Sequence, residues 1–256
     1  DPAATSSAAA AGLWQFIPST GKIYGLKQTS QYDGRRDVVE STRAAYEFLG
    51  SLYNQFGSWE LALASYNAGP GRIQQAINRN KAAGLPTDYW SLKLPQETMY
   101  YVPRFIAVAQ IIKNPSAYNV TLPPIANRPH FREIQVGPVA LNDIARITGL
   151  SRAELYQLNP GHRGEYVDAS SPMRILIPAD LSPTIDARLK TLHGGSANLV
   201  ASVPTTTPSG SFKPVTPTKA APPPIITSTQ TVTQSTTTTR PSATTPKGSA
   251  ALAAFA

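Results

Sequence analysis

The segment formed by residues 10–21 combines a glycine, several large apolar side chains and a single carboxamide. Gln15 is the polar residue among them, and its amide can both donate and accept hydrogen bonds, which suits a ligand rich in hydroxyl and amide groups. Gly12 allows the backbone to approach a neighbour or a ligand closely. We predict a ligand-binding turn that ends at Pro18. The alternative is a buried helical turn in which Gln15 only satisfies a backbone group.

A second segment, residues 64–71, places an aromatic and an amide side chain at the end of a helix. The residues from Trp59 to Ala68 are apolar on nearly all sides, which predicts a helix buried at the centre of its domain. A Gly-Pro-Gly sequence at 69–71 then turns the chain. Tyr66 and Asn67 are therefore expected in the last helical turn, where side chains can emerge into a cleft.

Further helices are predicted around these two segments. Residues 36–56 carry apolar side chains at three- and four-residue spacing, which indicates an amphipathic helix, and residues 72–83 predict a more polar outer helix. Pro95 suits the first turn of a helix that continues to residue 113. Pro103 lacks an amide donor, which predicts a kink in that helix or two helices placed end to end.

Several segments together resemble the lytic transglycosylases of the soluble-lytic (SLT) type, and a membrane-bound branch of that family in particular. These lysozyme-like enzymes cut the glycan strands of bacterial peptidoglycan. The resemblance extends from residue 1 to about residue 122 and implies a mainly α, lysozyme-like SLT domain. The segments that carry it are residues 12–21, Tyr-Asp-Gly-Arg-Arg-Asp at 32–37, residues 64–71, Tyr-Trp-Ser-Leu at 89–92, Pro-Gln-Glu-Thr at 95–98 and Tyr-Tyr-Val-Pro at 100–103.

The resemblance implies a reaction that uses one catalytic carboxyl group rather than a pair. In this family a glutamate protonates the oxygen between N-acetylmuramic acid and N-acetylglucosamine, and the substrate's acetamido group stabilises the developing cation. The 6-hydroxyl then closes a 1,6-anhydro ring while the same glutamate acts as base. That glutamate belongs to a Glu-Ser motif just before the family's Asp-Pro, here Asp1-Pro2. We therefore expect it upstream of Asp1 and assign no catalytic residue within this sequence.

The resemblance also implies a set of substrate-binding residues, several of which have a structural alternative. Ser6 could instead be a helix cap, and Asn67 could only cap the end of its helix. Tyr66, expected to stack on a sugar and to orient the acid, could be a core tyrosine with a satisfied hydroxyl. Glu97 could only stabilise the positive end of its helix. The full set is Ser6, Gln15, Ile17, Tyr66, Asn67, Glu97 and Tyr101.

Residues 132–180 predict a small βααβ unit. Strands are expected at 133–136 and 173–177, and helices at 141–148 and 151–159. The unit resembles LysM modules, which bind N-acetylglucosamine polymers, although Gly-Pro-Val at 137–139 stands where those modules have Gly-Asp-Thr. Its role is left open between glycan binding and packing.

The end of the sequence has a different composition. Beyond residue 194 it consists mainly of Thr, Ser, Pro and Ala and has no acidic residue, so it cannot bury enough apolar surface to fold. We predict a flexible basic tether there. The predicted division is an SLT-like domain at 1–122, a linker at 123–131, a LysM-like unit at 132–180, a short helical extension at 181–194 and a disordered tether at 195–256.

The composition limits the classes of partner and cofactor. The 256 residues include 24 Pro and no Cys and carry a formal net charge of +8. This charge suits an anionic cell-wall polymer, and the basic runs and aromatic motifs of nucleic-acid-binding proteins are missing. The lack of Cys excludes thiolate chemistry within the sequence. His130, His162 and His193 lack zinc-ligand spacing and are predicted at surface or linker positions, so we expect no metal or other cofactor.

The expected location is the bacterial periplasm or the outer membrane, facing the cell wall. No run of residues is long and apolar enough to span a membrane, and the sequence begins at Asp1 without an initiator Met. We expect a fragment whose targeting region and membrane anchor lie upstream.

Two alternatives to a lytic transglycosylase stay open: a goose-type lysozyme, which uses water, and a non-catalytic peptidoglycan-binding protein.

Overall fold

The structure, a computed structural model, describes residues 1–192, in which a helical part is followed by a smaller part of strands and helices. The predicted order, a mainly α domain and then a βααβ unit, is confirmed. The tether predicted at 195–256, the end of the helical extension and His193 lie outside the described residues.

The chain begins with turns and isolated bridges up to Ile17, and the first helix, α1 (Pro18–Ile23), follows. Pro18 begins this helix instead of ending the preceding segment, so the prediction of a stop at Pro18 is wrong. The fixed backbone angle of proline suits the first helical turn, and its missing amide would have had no helical partner there.

The long helix α2 (Val38–Phe56) follows an irregular segment. The carboxylate of Asp37 caps it by accepting the amides of Val39 and Glu40, each at 3.0 Å. Because the cap fixes the helix start, α2 begins slightly later than the sequence pattern predicts. Gly57 ends the helix in the left-handed conformation, with φ of 68°, which a glycine adopts without strain.

Helix α3 (Trp59–Ala68) lies at the centre of the helical part, as predicted. Ser58 caps it, and every side chain from Leu61 to Ser65 is buried. A helix covered on all sides cannot shift without opening the core, so its last turn is held in a fixed place. The outer helix α4 (Pro70–Ala82) follows directly.

Helix α5 (Gln96–Lys113) is continuous although Pro103 lies inside it. A proline at this position cannot donate to the carbonyl of Met99, four residues earlier. The buried hydroxyl of Tyr89 lies 3.1 Å from that carbonyl oxygen and 3.1 Å from the carbonyl oxygen of Thr98. The missing hydrogen bond is thereby replaced from outside the helix, and the alternative of two separate helices is wrong.

The smaller part is built on two antiparallel strand pairs. The outer strands pair with Ile134 opposite Ile175, and a second pair of two-residue strands was not predicted because it is too short to carry an alternating pattern. The apolar core lies between the strands and the helices. The elements are β1 (Phe131–Gln135), β2 (Val139–Ala140), α6 (Leu141–Thr148), α7 (Arg152–Leu158), β3 (Tyr166–Val167), β4 (Arg174–Pro178) and α8 (Thr184–Lys190).

The two parts contact each other at residues 31–37, here named the junction segment. The amide of Asp33 donates to the carbonyl of Gly161, in the loop between α7 and β3, at 2.8 Å. The ring of His162 lies 5.4 Å from that of Tyr32, and His162 is 4% exposed. The prediction of a surface or linker position is therefore wrong for His162, because its burial comes from a contact distant in sequence. His130 is exposed, as predicted.

We expect Tyr89→Phe to lower the melting temperature of the chain. The change leaves two α5 carbonyls without the tyrosine hydroxyl, which costs about 1–3 kcal/mol when the acceptor is buried. Tyr24→Phe is the matched control, since the Tyr24 hydroxyl bonds Ser51 at an exposed position. Equal melting temperatures for Tyr89→Phe and the wild type would contradict this account of Pro103.

A second expectation concerns pH. Burial lowers the pKa of His162, since the imidazolium loses its water. The unfolded chain, in which histidine titrates near about 6.5, therefore takes up this proton first as the pH falls. The contribution of neutral His162 to the free energy of unfolding is therefore fully present above that pH and is lost progressively below it.

The free energy of unfolding in urea, measured from about pH 7.5 down to 5.5, should fall more steeply for the wild type than for His162→Gln. The exposed His130→Gln serves as control and should follow the wild type. Parallel curves for all three proteins would refute the assignment of this pH dependence to His162.

Candidate functional site

Residues 3–17 form an irregular loop, here named the N-terminal loop, which carries Ser6, Gln15 and Ile17. The amide of Gly12 donates to the carbonyl of Ala4 at 3.0 Å and thereby closes the loop on itself. Gly12 has φ of 82°, and a Cβ there would lie 1.8 Å from the carbonyl oxygen of Arg35. The predicted close backbone approach at Gly12 is confirmed, and its neighbour is the junction segment.

Gln15 is exposed on this loop, in the left-handed region with φ of 51°. Its Nε2 donates to the carbonyl of Gly12 at 2.7 Å, which is the backbone role of the alternative prediction. Within residues 1–192 no donor bonds its Oε1. One side of the amide is therefore used to shape the loop, and the other faces outward as an acceptor.

Ser6 and Ile17 lie at either side of the loop. The Oγ of exposed Ser6 accepts the amides of Ala8 and Ala10, at 3.2 and 3.1 Å, so Ser6 caps a turn and not the helix of the alternative prediction. Its own hydroxyl hydrogen stays available to a ligand. Ile17 directly precedes α1 and is 43% exposed, so it presents an apolar surface beside these polar groups.

Tyr66 joins the last turn of α3 to the N-terminal loop. Its hydroxyl donates to the carbonyl of Trp14 at 2.7 Å, and its ring centre lies 5.2 Å from that of Phe48 and 6.3 Å from that of Phe16. Burial, and after it the neighbouring Tyr101, raise the pKa of Tyr66. The hydroxyl therefore stays protonated at neutral pH and acts as a hydrogen-bond donor that positions the loop.

Asn67 joins the same turn of α3 to the start of α5. Its Oδ1 accepts from the hydroxyl of Thr98 at 2.8 Å, and its Nδ2 lies 3.5 Å from Oε1 of Glu97. The amide thus bonds another helix instead of capping its own. Glu97 is exposed in the first turn of α5, where a negative charge is also favoured by the helix dipole.

Tyr101 lies one helical turn beyond Glu97. It is half-buried and packs against the apolar cluster around α3, and burial raises the pKa of its hydroxyl. Four of the predicted residues thus form two groups that meet at the last turn of α3: Tyr66 bonds the carbonyl of Trp14, next to Gln15, and Asn67 bonds Glu97 directly.

This arrangement consists mainly of uncharged donors and acceptors beside aromatic rings. Such a surface can bind sugar hydroxyl and acetamido groups. Within residues 1–192 no group of three His, Asp or Glu residues is placed to hold a metal ion. None of the helices described in this range is long and apolar enough to cross a membrane.

Comparison with known families agrees with the motifs in the sequence. Residues 1–86 match the family described as "Transglycosylase SLT domain". The chain carries a transglycosylase SLT domain. Residues 130–194 match the family described as "Lytic transglycosylase MltD, LysM-like domain", so both resemblances inferred from the sequence are confirmed.

The SLT and LysM-like domains also match whole proteins. The chain is 47% identical over 180 residues to "Membrane-bound lytic murein transglycosylase D" of Escherichia coli (strain K12), an alignment that covers 70% of this chain and 40% of that protein. The same protein of E. coli O6:H1 gives the same values. A protein of Alteromonas sp. (strain M-1), named for resistance to tributyltin chloride, is 34% identical over 135 residues, which is 52% of this chain and 63% of that relative. The chain thus spans about 40% of the length of the E. coli relatives.

Two contributors to the SLT domain site were missed by sequence reasoning. Thr98 is 2% exposed and orients the amide of Asn67, and Trp14 offers its carbonyl to Tyr66. Both residues lie inside the family motifs, so the motifs indicated the part of the chain in which they are found. Their partners, however, are 31 and 52 residues away, and spacing alone does not reveal such pairs.

A separate small cavity of about 80 Å³ lies in the LysM-like domain. Its lining includes Arg152, Tyr156 and Arg163. Ligand pockets usually measure about 300–1,000 Å³, so this cavity is too small to enclose a disaccharide. It gives no independent support to sugar binding by this domain.

We expect Tyr66→Phe to lower the free energy of unfolding by about 1 kcal/mol, because the hydrogen bond to Trp14 is lost while the ring packing is kept. Urea unfolding of the full chain measures the change. Tyr46→Phe, at an exposed position on the neighbouring helix, should leave the stability unaltered. A loss of the same size in both variants would show that the Trp14 bond is not its cause.

Proposed function

We propose that this chain is part of a peptidoglycan lytic transglycosylase. The enzyme would break the β-1,4 bond between N-acetylmuramic acid and N-acetylglucosamine and leave 1,6-anhydromuramic acid ends. The proposal rests on the SLT match over residues 1–86, the region in which the N-terminal loop and Tyr66 are joined. The name of the E. coli relative supports the same activity.

The substrate-binding surface in this proposal is the set Ser6, Gln15, Ile17, Tyr66, Asn67, Glu97 and Tyr101. The free Oε1 of Gln15 and the hydroxyl of Ser6 would bond sugar hydroxyl and acetamido groups. Asn67 and Glu97, tied to each other at 3.5 Å, would bind the neighbouring sugar. Tyr66 would position the N-terminal loop beside the glycosidic bond that is broken.

In this proposal the acid of the reaction lies outside the present chain. The carboxylic acid would give its proton to the leaving glycosidic oxygen, and the sugar's own 6-hydroxyl would attack the anomeric carbon and return a proton to the same carboxylate. No water is consumed. Glu97 is exposed and its carboxylate lies 3.5 Å from the amide of Asn67, and we assign it to substrate binding. From the family resemblance at Asp1-Pro2, we propose that the acid belongs to a Glu-Ser segment upstream of Asp1.

The proposed partner is the peptidoglycan glycan strand in the bacterial periplasm, reached with an anchor outside this chain. The formal net charge of +8 favours an anionic wall polymer over a neutral one.

The proposal includes the domain division at residues 1–122, 123–131, 132–180, 181–194 and 195–256. No cofactor is required by the chemistry.

The test compares three proteins on purified peptidoglycan: the present chain, a longer chain that carries the upstream Glu-Ser segment, and its Glu→Gln variant. We expect cleavage by the longer chain alone, with muropeptide ends lighter by one water than hydrolysis products in mass spectrometry. The Glu→Gln variant controls for binding, since it should still co-sediment with the wall.

The other outcomes separate the rival functions. Products that have taken up water would indicate a goose-type lysozyme. Binding without cleavage by the longer chain would indicate a non-catalytic peptidoglycan-binding protein. Strong cleavage by the present chain would place the acid within residues 1–256 and refute its assignment to the upstream segment.

A further inference from the structure

The junction segment, residues 31–37, contacts the LysM-like domain on one side and the N-terminal loop on the other. We propose that the LysM-like domain positions the N-terminal loop through this segment, with Arg174 as the positioning residue. The proposal rests on the proposed function in so far as that loop binds the glycan. Its structural content stands on the contacts themselves.

On the side of the LysM-like domain, the contact is largely made of backbone hydrogen bonds. The amide of Asp33 donates to the carbonyl of Gly161 at 2.8 Å, and the amide of Arg163 donates to the carbonyl of Gln31 at 2.8 Å. These bonds flank an isolated antiparallel bridge between Tyr32 and His162, so the two backbone segments hold each other in place. A Cβ at Gly161 would lie 3.0 Å from the ring of Tyr32, so the two surfaces pack without a gap.

A buried ion pair stabilises the same contact. Arg174 of β4 donates to Oδ1 of Asp37 at 2.7 Å, and the two side chains are 5% and 10% exposed. The hydroxyl of Tyr32 donates to the other oxygen of Asp37, also at 2.7 Å. Breaking such a buried pair by removing one partner leaves an uncompensated charge, which is strongly destabilising at that place. The position of the junction segment therefore depends on a residue of the LysM-like domain.

On the other side, two guanidinium groups of the junction segment hold the N-terminal loop. Arg35 is held by the carboxylate of Asp33, with its Nε at 3.0 Å from Oδ1 and its Nη2 at 2.8 Å from Oδ2. Its Nη1 donates to the carbonyls of Ala9 and Phe16, at 2.7 and 3.2 Å. Arg36 donates to the carbonyl of Ala3 and to the hydroxyl of Thr5.

The loop depends on these bonds because it has little structure of its own. Its residues form turns and isolated bridges but no helix or paired strand, and such segments open at low free-energy cost unless tied down. Asp33 connects the two sides: its amide bonds Gly161 and its carboxylate orients Arg35. Loss of the LysM-like contact should therefore loosen the loop that carries Gln15 before it affects the buried helix α3.

Amide hydrogen exchange of the full 256-residue chain tests the proposal without any need for catalysis. The reporter amides are those of Ala11 and Gly12, bonded to the carbonyls of Phe16 and Ala4, and the reference amide is that of Ala62 in α3. In Arg174→Met we expect the reporters to exchange faster by roughly tenfold or more while the reference keeps its rate. Arg174→Lys, which keeps the charge, should recover part of the protection.

The matched control is Arg132→Met. Arg132 is also an arginine of the LysM-like domain in an ion pair, with Asp186 at 2.8 Å, but it does not contact the junction segment. It should leave the reporters unchanged. Reporter rates equal in Arg174→Met and wild type, or raised equally in Arg132→Met, would overturn the proposal. If Arg174→Met does not fold, Gly161→Ala replaces it, because this change disturbs the same contact more mildly. The exchange rates of the same reporter amides then test the proposal.

A binding experiment separates this proposal from the proposed function. We expect purified glycan strands to bind Arg174→Met roughly tenfold more weakly than Arg132→Met, because the loop is no longer held in its binding geometry. If the wild-type chain binds no glycan while Arg174→Met still loosens the loop, the proposed function fails and the positioning role stands. If glycan binds the wild type and both variants equally well, the positioning role fails and the proposed function stands.

Discussion

The carboxylate of Asp37 is the interaction on which the rest of the structure depends. It caps α2 through two backbone amides, receives the hydroxyl of Tyr32 and pairs with Arg174 from the other domain. One buried charge is thus stabilised by an ion pair with Arg174 and by hydrogen bonds from two other parts of the chain. Because a buried carboxylate is stable only when all of these donors are in place, the helix start, the junction segment and the LysM-like domain take their positions together.

The candidate site depends in turn on α3. Its central turns are buried on all sides, so its last turn is a rigid base for the more irregular elements around it. Tyr66 fixes the N-terminal loop from this base, and Asn67 fixes the start of α5. The outward-facing groups, such as Oε1 of Gln15, are held by bonds that their neighbours make rather than by a deep pocket.

Local chemistry explains which features could be predicted from the sequence. The end of α2 at Phe56 and the bounds of α3 at Trp59 and Ala68 follow from the local sequence pattern, and both were predicted correctly. The burial of His162 and the bond between Thr98 and Asn67 could not be inferred, because each depends on residues brought together from far apart. The prediction for Pro18 was wrong for a different reason. A proline is compatible with the start of a helix as well as with the end of a segment, and the residues that follow it determine which of the two forms.

The contact between the two domains combines backbone hydrogen bonds with the Arg174–Asp37 ion pair, which has a consequence for how exchangeable the domains are. The amides and carbonyls of Gln31, Asp33, Gly161 and Arg163 are present whatever side chains these positions carry, so the contact tolerates drift on the surface. It does not tolerate an unrelated module. A Cβ in place of the hydrogen at Gly164 would lie 1.7 Å from Oε1 of Gln31, and one at Gly161 would press on Tyr32. The Gln31 side chain can swing away from a Cβ at position 164, but a module grafted here from another protein would still need a small residue at position 161 and an arginine placed to pair with Asp37. The two domains are therefore not freely exchangeable.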